Sequence, residues 1–155
     1  MPIATVRFVR AAWLWFLAGL LLGACVAGAK IGWLSPRLAG LRPAHVHVLA
    51  LGWAVQWVFG IAFWIYPAFG SERSGPGPSR AMAVCFALLN GGVLVRAVGE
   101  AVFDCGVARE AGAVALAAGA AAQLVAGTIF VIVIRGRIRA AGWIERAHRT
   151  PPKTL

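Results

Sequence analysis

The sequence predicts an all-α integral membrane protein, a four-helix bundle with both termini cytoplasmic, and three observations carry that prediction. Hydrophobic residues fill 61% of the 155 positions and charged residues 13%, whereas roughly a quarter of the residues in soluble domains are charged. Mean hydropathy is +0.80. Four apolar stretches, at about 11–31, 43–69, 81–103 and 111–134, are each long enough at about 1.5 Å per residue to cross a hydrocarbon core about 30 Å thick. The runs are continuous instead of alternating, which excludes barrel strands. The chain therefore reads as one transmembrane domain, 1–155, without room for a large extramembrane domain.

The first span follows Arg7 and Arg10 and contains Gly19-Leu20-Leu21-Leu22-Gly23, a spacing of small residues that lets membrane helices approach closely. Its Leu22-Gly23-Ala24-Cys25 end imitates a cleavage site, but the segment is read as a retained span. Ser35-Pro36-Arg37 and Arg42-Pro43 break the chain before the second span, and Gly75-Pro76-Gly77-Pro78 breaks it before the third. The third span carries Arg96 and Glu100, one helical turn apart. The fourth is alanine-rich between 113 and 122. Asn90 and Gln123 lie near mid-depth in spans three and four, and the simplest expectation is a hydrogen bond between them. Cys25 and Cys105 fall near one face and Cys85 near the other. They have no zinc spacing, so they are packing residues unless Cys25 and Cys105 pair.

Fifteen Lys and Arg against five Asp and Glu give a net charge of +10. In a soluble chain that balance would suggest nucleic acid; here the basic residues sit in loops and the tail, so no nucleic-acid partner is expected. Arg7, Arg10, Arg73, Arg80 and the basic tail 135–155 fall on one side, against Lys30, Arg37, Arg42 and Arg109 on the other. The positive-inside rule makes the first side cytoplasmic. The tail reads as a basic anchor, or as an interfacial helix on anionic lipid with Trp143 and Ile144 on its apolar side.

Functional signal concentrates at the start of span two, in Arg42-Pro43-Ala44-His45-Val46-His47. The only other histidine is His148, in the tail, so two of three sit at a membrane boundary, where ionisable groups are costly and usually functional. Residues two apart on a helix point about 200° apart. One metal ion therefore cannot readily take both imidazoles from one helix, whereas two cofactors on opposite faces can. The plainer reading is a pair of interfacial histidines bonded to water, headgroups or carbonyls. No nucleophile, paired carboxylate or phosphate loop is present.

The pattern Arg42-Pro43-Ala44-His45-Val46-His47, Gly52-Trp53, Gly60 and Tyr66-Pro67 followed by a polar loop resembles a helix of haem-copper oxidase subunit I and of the related NnrS-type haem and copper membrane proteins. The likeness covers spans two and three, about a third of the chain. In that superfamily a His-x-His pair serves two haems on the two faces of one helix. The resemblance implies that His45 and His47 are axial ligands of haem b iron, that Gly52 lets the macrocycle or a neighbouring helix approach, and that Arg96 and Arg42 are partners for haem propionates. For Arg96 the competing expectation is an internal pair with Glu100. The chain departs from the oxidases in having four spans instead of about twelve, no second histidine cluster in the membrane, and one tyrosine, Tyr66, about 30 Å from His45 at helical rise. A copper centre and oxygen reduction of the oxidase kind are not expected.

The function so implied is that of a haem b cytochrome in a bacterial inner membrane, with its histidine end near the non-cytoplasmic face. One-electron transfer is the expected role rather than enzymatic turnover. The alternatives are a haem protein that binds nitric oxide or oxygen, and a cofactor-free accessory or scaffold subunit of a respiratory complex. Two histidines facing opposite ways cannot both grip one iron within a monomer, and four spans resemble one of the three helical arcs of the oxidase subunit. The expected assembly is a homotrimer, with a dimer as the alternative.

Overall fold

A computed structural model describes residues 2–66 and 77–149, with side chains described for 2–66 and 80–138. All regular structure among the described residues is helical: α1 (Ile3–Lys30), a 3-10 turn (Pro36–Leu41), α2 (Arg42–His47), a π-helical segment (Val48–Val55), α3 (Gln56–Ile65), α4 (Gly77–Asp104) and α5 (Arg109–Arg149). The pieces from Pro36 to Ile65 run on as a single rod. This rod, α1, α4 and α5 are each long and apolar enough to cross a membrane, so the chain has the character of a membrane protein.

The helices outrun the apolar stretches. α1 begins at Ile3 instead of near 11, and α5 continues from Arg109 to Arg149 through the basic residues that follow the apolar run. Charge marks the edge of the hydrocarbon without ending a helix, because Arg is itself a good helix former and snorkels to the interface. The side chains of Trp143 and Ile144 lie outside the described residues, as do Pro67, Arg73 and the end of the expected second span.

Neighbours in sequence pack antiparallel. A Cβ on Gly19 would meet Leu49, and one on Gly60 would meet Phe8, so α1 and the second rod run in opposite directions along a shared seam. α4 and α5 approach backbone to backbone: a Cβ on Gly99 would stand 2.7 Å from the Leu116 nitrogen, and one on Gly119 2.7 Å from the Arg96 nitrogen. In lipid this close fit replaces the hydrophobic drive that water supplies to a soluble bundle. The second rod lies between α1 and the α4–α5 pair, and α1 and α5 make at most marginal contact. The helices thus form an open row.

At the end that holds both the first residues of α1 and the last apolar turns of α5, a core of Phe8, Phe63, Met82, Cys85, Leu89, Ala126 and Phe130 joins all four spans. Phe59 stacks on Phe130, with ring centroids 3.7 Å apart and planes 4° from parallel. Arg137, 5% exposed, donates from Nη1 to the carbonyls of Phe63 and Tyr66 at 3.0 and 2.9 Å and lies over the Phe63 ring. It thereby ties α5 to the carbonyl end of α3, whose last oxygens lack intrahelical donors. Leu14, Leu21, Leu124 and Ile132 are exposed, as suits surfaces that meet acyl chains.

One sequence expectation is corrected. Asn90 and Gln123 do not bond to each other: Asn90 Oδ1 accepts from Trp15 Nε1 at 2.7 Å, and Gln123 Oε1 accepts from Arg96 Nη1 at 3.2 Å. Equal depth does not place two side chains on facing sides of their helices, and these two face different neighbours. Cys25 and Cys105 are not paired; all three cysteines are free, and the Cys105 thiol donates to the Arg37 carbonyl at 3.3 Å.

Candidate functional site at the histidine end of the second rod

α2 opens with Pro43 in its first turn, where the missing N–H costs nothing. That start sets His45 and His47 in regular α-helix just before the π segment, so their faces diverge as ordinary helical geometry requires. His45 turns toward α1 and His47 toward α4.

His45 sits in a seat made by the two glycines of the first span. Its Nδ1 is 2.8 Å from the Gly19 carbonyl oxygen. A carbonyl only accepts, so Nδ1 carries the proton and donates, and Nε2 presents a lone pair. No partner engages Nε2 among the described residues. The room for the ring comes from Gly23, where a Cβ would stand 2.7 Å from His45 Cε1. An imidazole whose Nδ1–H is anchored on a main-chain carbonyl while Nε2 is free has the orientation typical of metal-bound histidines.

His47 is held very differently. Arg96 Nη2 lies 2.8 Å from its Nε2, and because a guanidinium only donates, Nε2 must accept and the proton resides on Nδ1. Nδ1 stands 2.7 Å from Glu100 Oε1, in a contact too far off the N–H axis to form an aligned hydrogen bond. Arg96 Nε donates to the same Glu100 oxygen at 3.0 Å and Nη1 to Gln123 Oε1 at 3.2 Å. One guanidinium therefore links the second rod, α4 and α5. Glu100 is 2% exposed, and its Oε2, like Gln123 Nε2, is buried without a hydrogen-bond partner among the described residues. A carboxylate at that depth is tolerable because its cation is in contact with it.

The other sequence candidates are placed apart from these two histidines. Arg42 is exposed at the start of α2. Gly52 faces the Trp15 ring, which a Cβ there would meet at 2.8 Å, so the close approach it permits is that of α1. Along the same seam, on the outer surface, Trp13, Phe16, Trp53 and Trp57 line an apolar groove of about 390 Å³. Trp13 and Trp57 stack there at 6.3 Å. No group of three or more His, Cys, Asp and Glu gathers to hold a metal ion among the described residues.

Sequence reasoning named Gly19, Gly23 and Gln123 for packing and Arg137 only as tail charge, without connecting them to the histidines or to the core. The first two were legible as a close-packing motif, though nothing in the motif says that the residue accommodated is a histidine. No family model, curated protein or solved structure matches this chain.

Proposed function

We propose that the chain is a haem b membrane protein in which the Nε2 of His45 is an axial ligand. The observation that carries this reading is the seat of His45, with Nδ1–H on the Gly19 carbonyl, Gly23 making space for the ring, and Nε2 left without a partner. His45 is half-buried, and its Nε2 is not among the fully buried atoms. One ring nitrogen is anchored and the other is held ready, which is the division of labour that ligation requires.

His47 fits the ligand role less well, since both its nitrogens contact Arg96 and Glu100. Three of the five N–H groups of Arg96 point to Glu100, Gln123 and His47, which favours the internal pair over a propionate contact. Arg42, exposed at the same end, is the better placed cation for a propionate. When bound, haem would supply one-electron chemistry or a site for a small gas; the chain's own residues anchor the ligand ring through the Gly19 carbonyl.

The excess of Lys and Arg on the side of the chain termini supports cytoplasmic termini and a histidine end toward the non-cytoplasmic side; a bacterial inner membrane is part of the same proposal. An open row with α1 and α5 at its two ends suits assembly with further copies, and a homotrimer of twelve helices is the arrangement proposed. The test is a reduced-minus-oxidised spectrum and pyridine haemochrome of purified protein, with native mass spectrometry to count chains and haems. Haem b that is lost in His45→Ala and kept in His148→Ala is the expected result. Protein purified with no Soret band, even after reconstitution with haem b, refutes the reading and leaves the cofactor-free scaffold.

A further inference from the structure

We propose that the crevice between α1 and α4, at the end opposite the histidines, is a binding site for one anionic phospholipid, with Arg7 on its phosphate and an acyl chain between the helices. The proposal is independent of the haem reading.

The crevice follows from the order of the row. The second rod lies between α1 and α4, so those two helices touch each other only sparingly. Near the start of α1 they leave a cavity of about 200 Å³. Ala4 and Ala83 provide the space on its two walls, and Phe8 and Met82, both fully buried, close its floor. Phe86 completes the lining and meets Phe8 edge to face, with ring centroids 5.2 Å apart. Arg7 also lines the cavity and is exposed, which places it at the mouth.

Depth and charge define what enters. Arg7 stands four residues before the apolar run that begins near residue 11, about 6 Å along the helix. The headgroup region on one face of a bilayer is about 5–7 Å thick, so the guanidinium is level with lipid phosphates. Arg7, Arg10 and Arg80 are all exposed at this end, and none of them has an acceptor among the described residues. The acidic residues with described side chains, Glu100, Asp104 and Glu110, lie toward the other end. A guanidinium pairs with phosphate through two parallel hydrogen bonds, so an unneutralised one at this depth favours a phosphate partner.

The apolar walls decide between phosphate carriers. Apart from Arg7, the lining side chains are apolar. A soluble phosphate would leave those walls uncovered, and an extended peptide laid between them would leave its backbone N–H and C=O groups unpaired. An acyl chain has no such groups and covers apolar surface. A zwitterionic headgroup brings its own ammonium beside the guanidinium, so the site prefers a lipid with net negative charge.

The test uses the full chain, delipidated in neutral detergent and titrated with dioleoylphosphatidylglycerol or dioleoylphosphatidylcholine, with bound lipid counted by native mass spectrometry. One phosphatidylglycerol per chain should bind about fivefold more tightly than phosphatidylcholine, the effect expected of one basic residue beside an anionic headgroup. Arg7→Gln, at an exposed position that does not threaten folding, should abolish that preference. Arg10→Gln and Arg80→Gln, outside the crevice at the same end, should keep it. Ala83→Leu, which fills the crevice from its exposed wall, should weaken both lipids. Equal losses in Arg7→Gln and Arg10→Gln would reduce the effect to general surface charge and overturn the site. Displacement of the lipid by an equal concentration of inorganic phosphate would make the ligand a soluble anion, and a dimer that Ala83→Leu dissociates would make the occupant a second copy. Either result overturns the proposal.

Discussion

Gly23 and His45 stand in a fixed steric relation across the α1 seam: a Cβ on residue 23 would lie 2.7 Å from His45 Cε1 and 3.0 Å from Nδ1. Real Cβ atoms do not approach a ring so closely, so a side chain at 23 must displace the imidazole from the Gly19 carbonyl. On the proposed haem reading, Gly23→Val should therefore remove most of the bound haem from the purified protein, and Gly23→Ala a smaller share. Gly91 offers the control, because a Cβ there meets nothing within 4 Å. Gly91→Ala should retain the wild-type haem-to-protein ratio, and equal ratios in the Gly23 and Gly91 variants would remove His45 from the ligand role.

Arg137 gives a prediction about stability instead. Its guanidinium is the donor to the Phe63 and Tyr66 carbonyls and covers the Phe63 ring. Hydrogen bonds from a charged donor contribute more than neutral ones, and loss of this group should cost about 3 kcal/mol. Unfolding of Arg137→Leu in mixed micelles should show that loss. Arg137→Lys should recover only part of it, since an ammonium cannot reproduce the planar fork. Arg135→Leu, at an exposed position of the same helix, should be close to neutral.

These two residues illustrate what the sequence made legible. Charge and hydropathy located the four spans, since the bilayer imposes its thickness on any chain that crosses it. The Arg96–Glu100 pair was legible too, because a separation of four residues fixes neighbours on one helix. What joins that pair to His47 and Gln123 depends on how three helices are rotated against one another, and no local pattern in the chain records rotation. The same gap explains the mistaken Asn90–Gln123 bond. The π segment Val48–Val55 is uniformly apolar apart from Gly52, so no periodicity marks its change of pitch. Arg137 did carry a signal: it continues the buried stripe of Ala126 and Phe130 on α5, yet as one arginine in a basic tail it reads as a topological charge.

The free cysteines report on orientation. Cys105 follows α4 at the histidine end and is partly exposed, whereas Cys85 is fully buried near the opposite end. If that end faces outward, a membrane-impermeant maleimide should label a variant retaining only Cys105 in intact cells. A variant retaining only Cys85 should react after denaturation alone. Labelling of Cys105 confined to inside-out vesicles would reverse the proposed topology.

The energetics of the charged cluster should be sharply non-additive. Arg96 contacts Glu100 through Nε at 3.0 Å, and Glu100 is 2% exposed. Arg96→Leu alone leaves a carboxylate with no cation beside it, and breaking a buried pair in this way costs about 3–5 kcal/mol. Glu100→Leu alone leaves the guanidinium with His47 and Gln123 as its neutral acceptors, so its cost should be smaller. The double variant removes both charges and should be more stable than Arg96→Leu, because a desolvated ion pair replaced as a unit by apolar side chains loses little. A double-mutant cycle of unfolding free energies in detergent measures this directly. Single-variant losses that simply add in the double variant would mean that the two charges are hydrated independently, and that the guanidinium does not bind the three helices together.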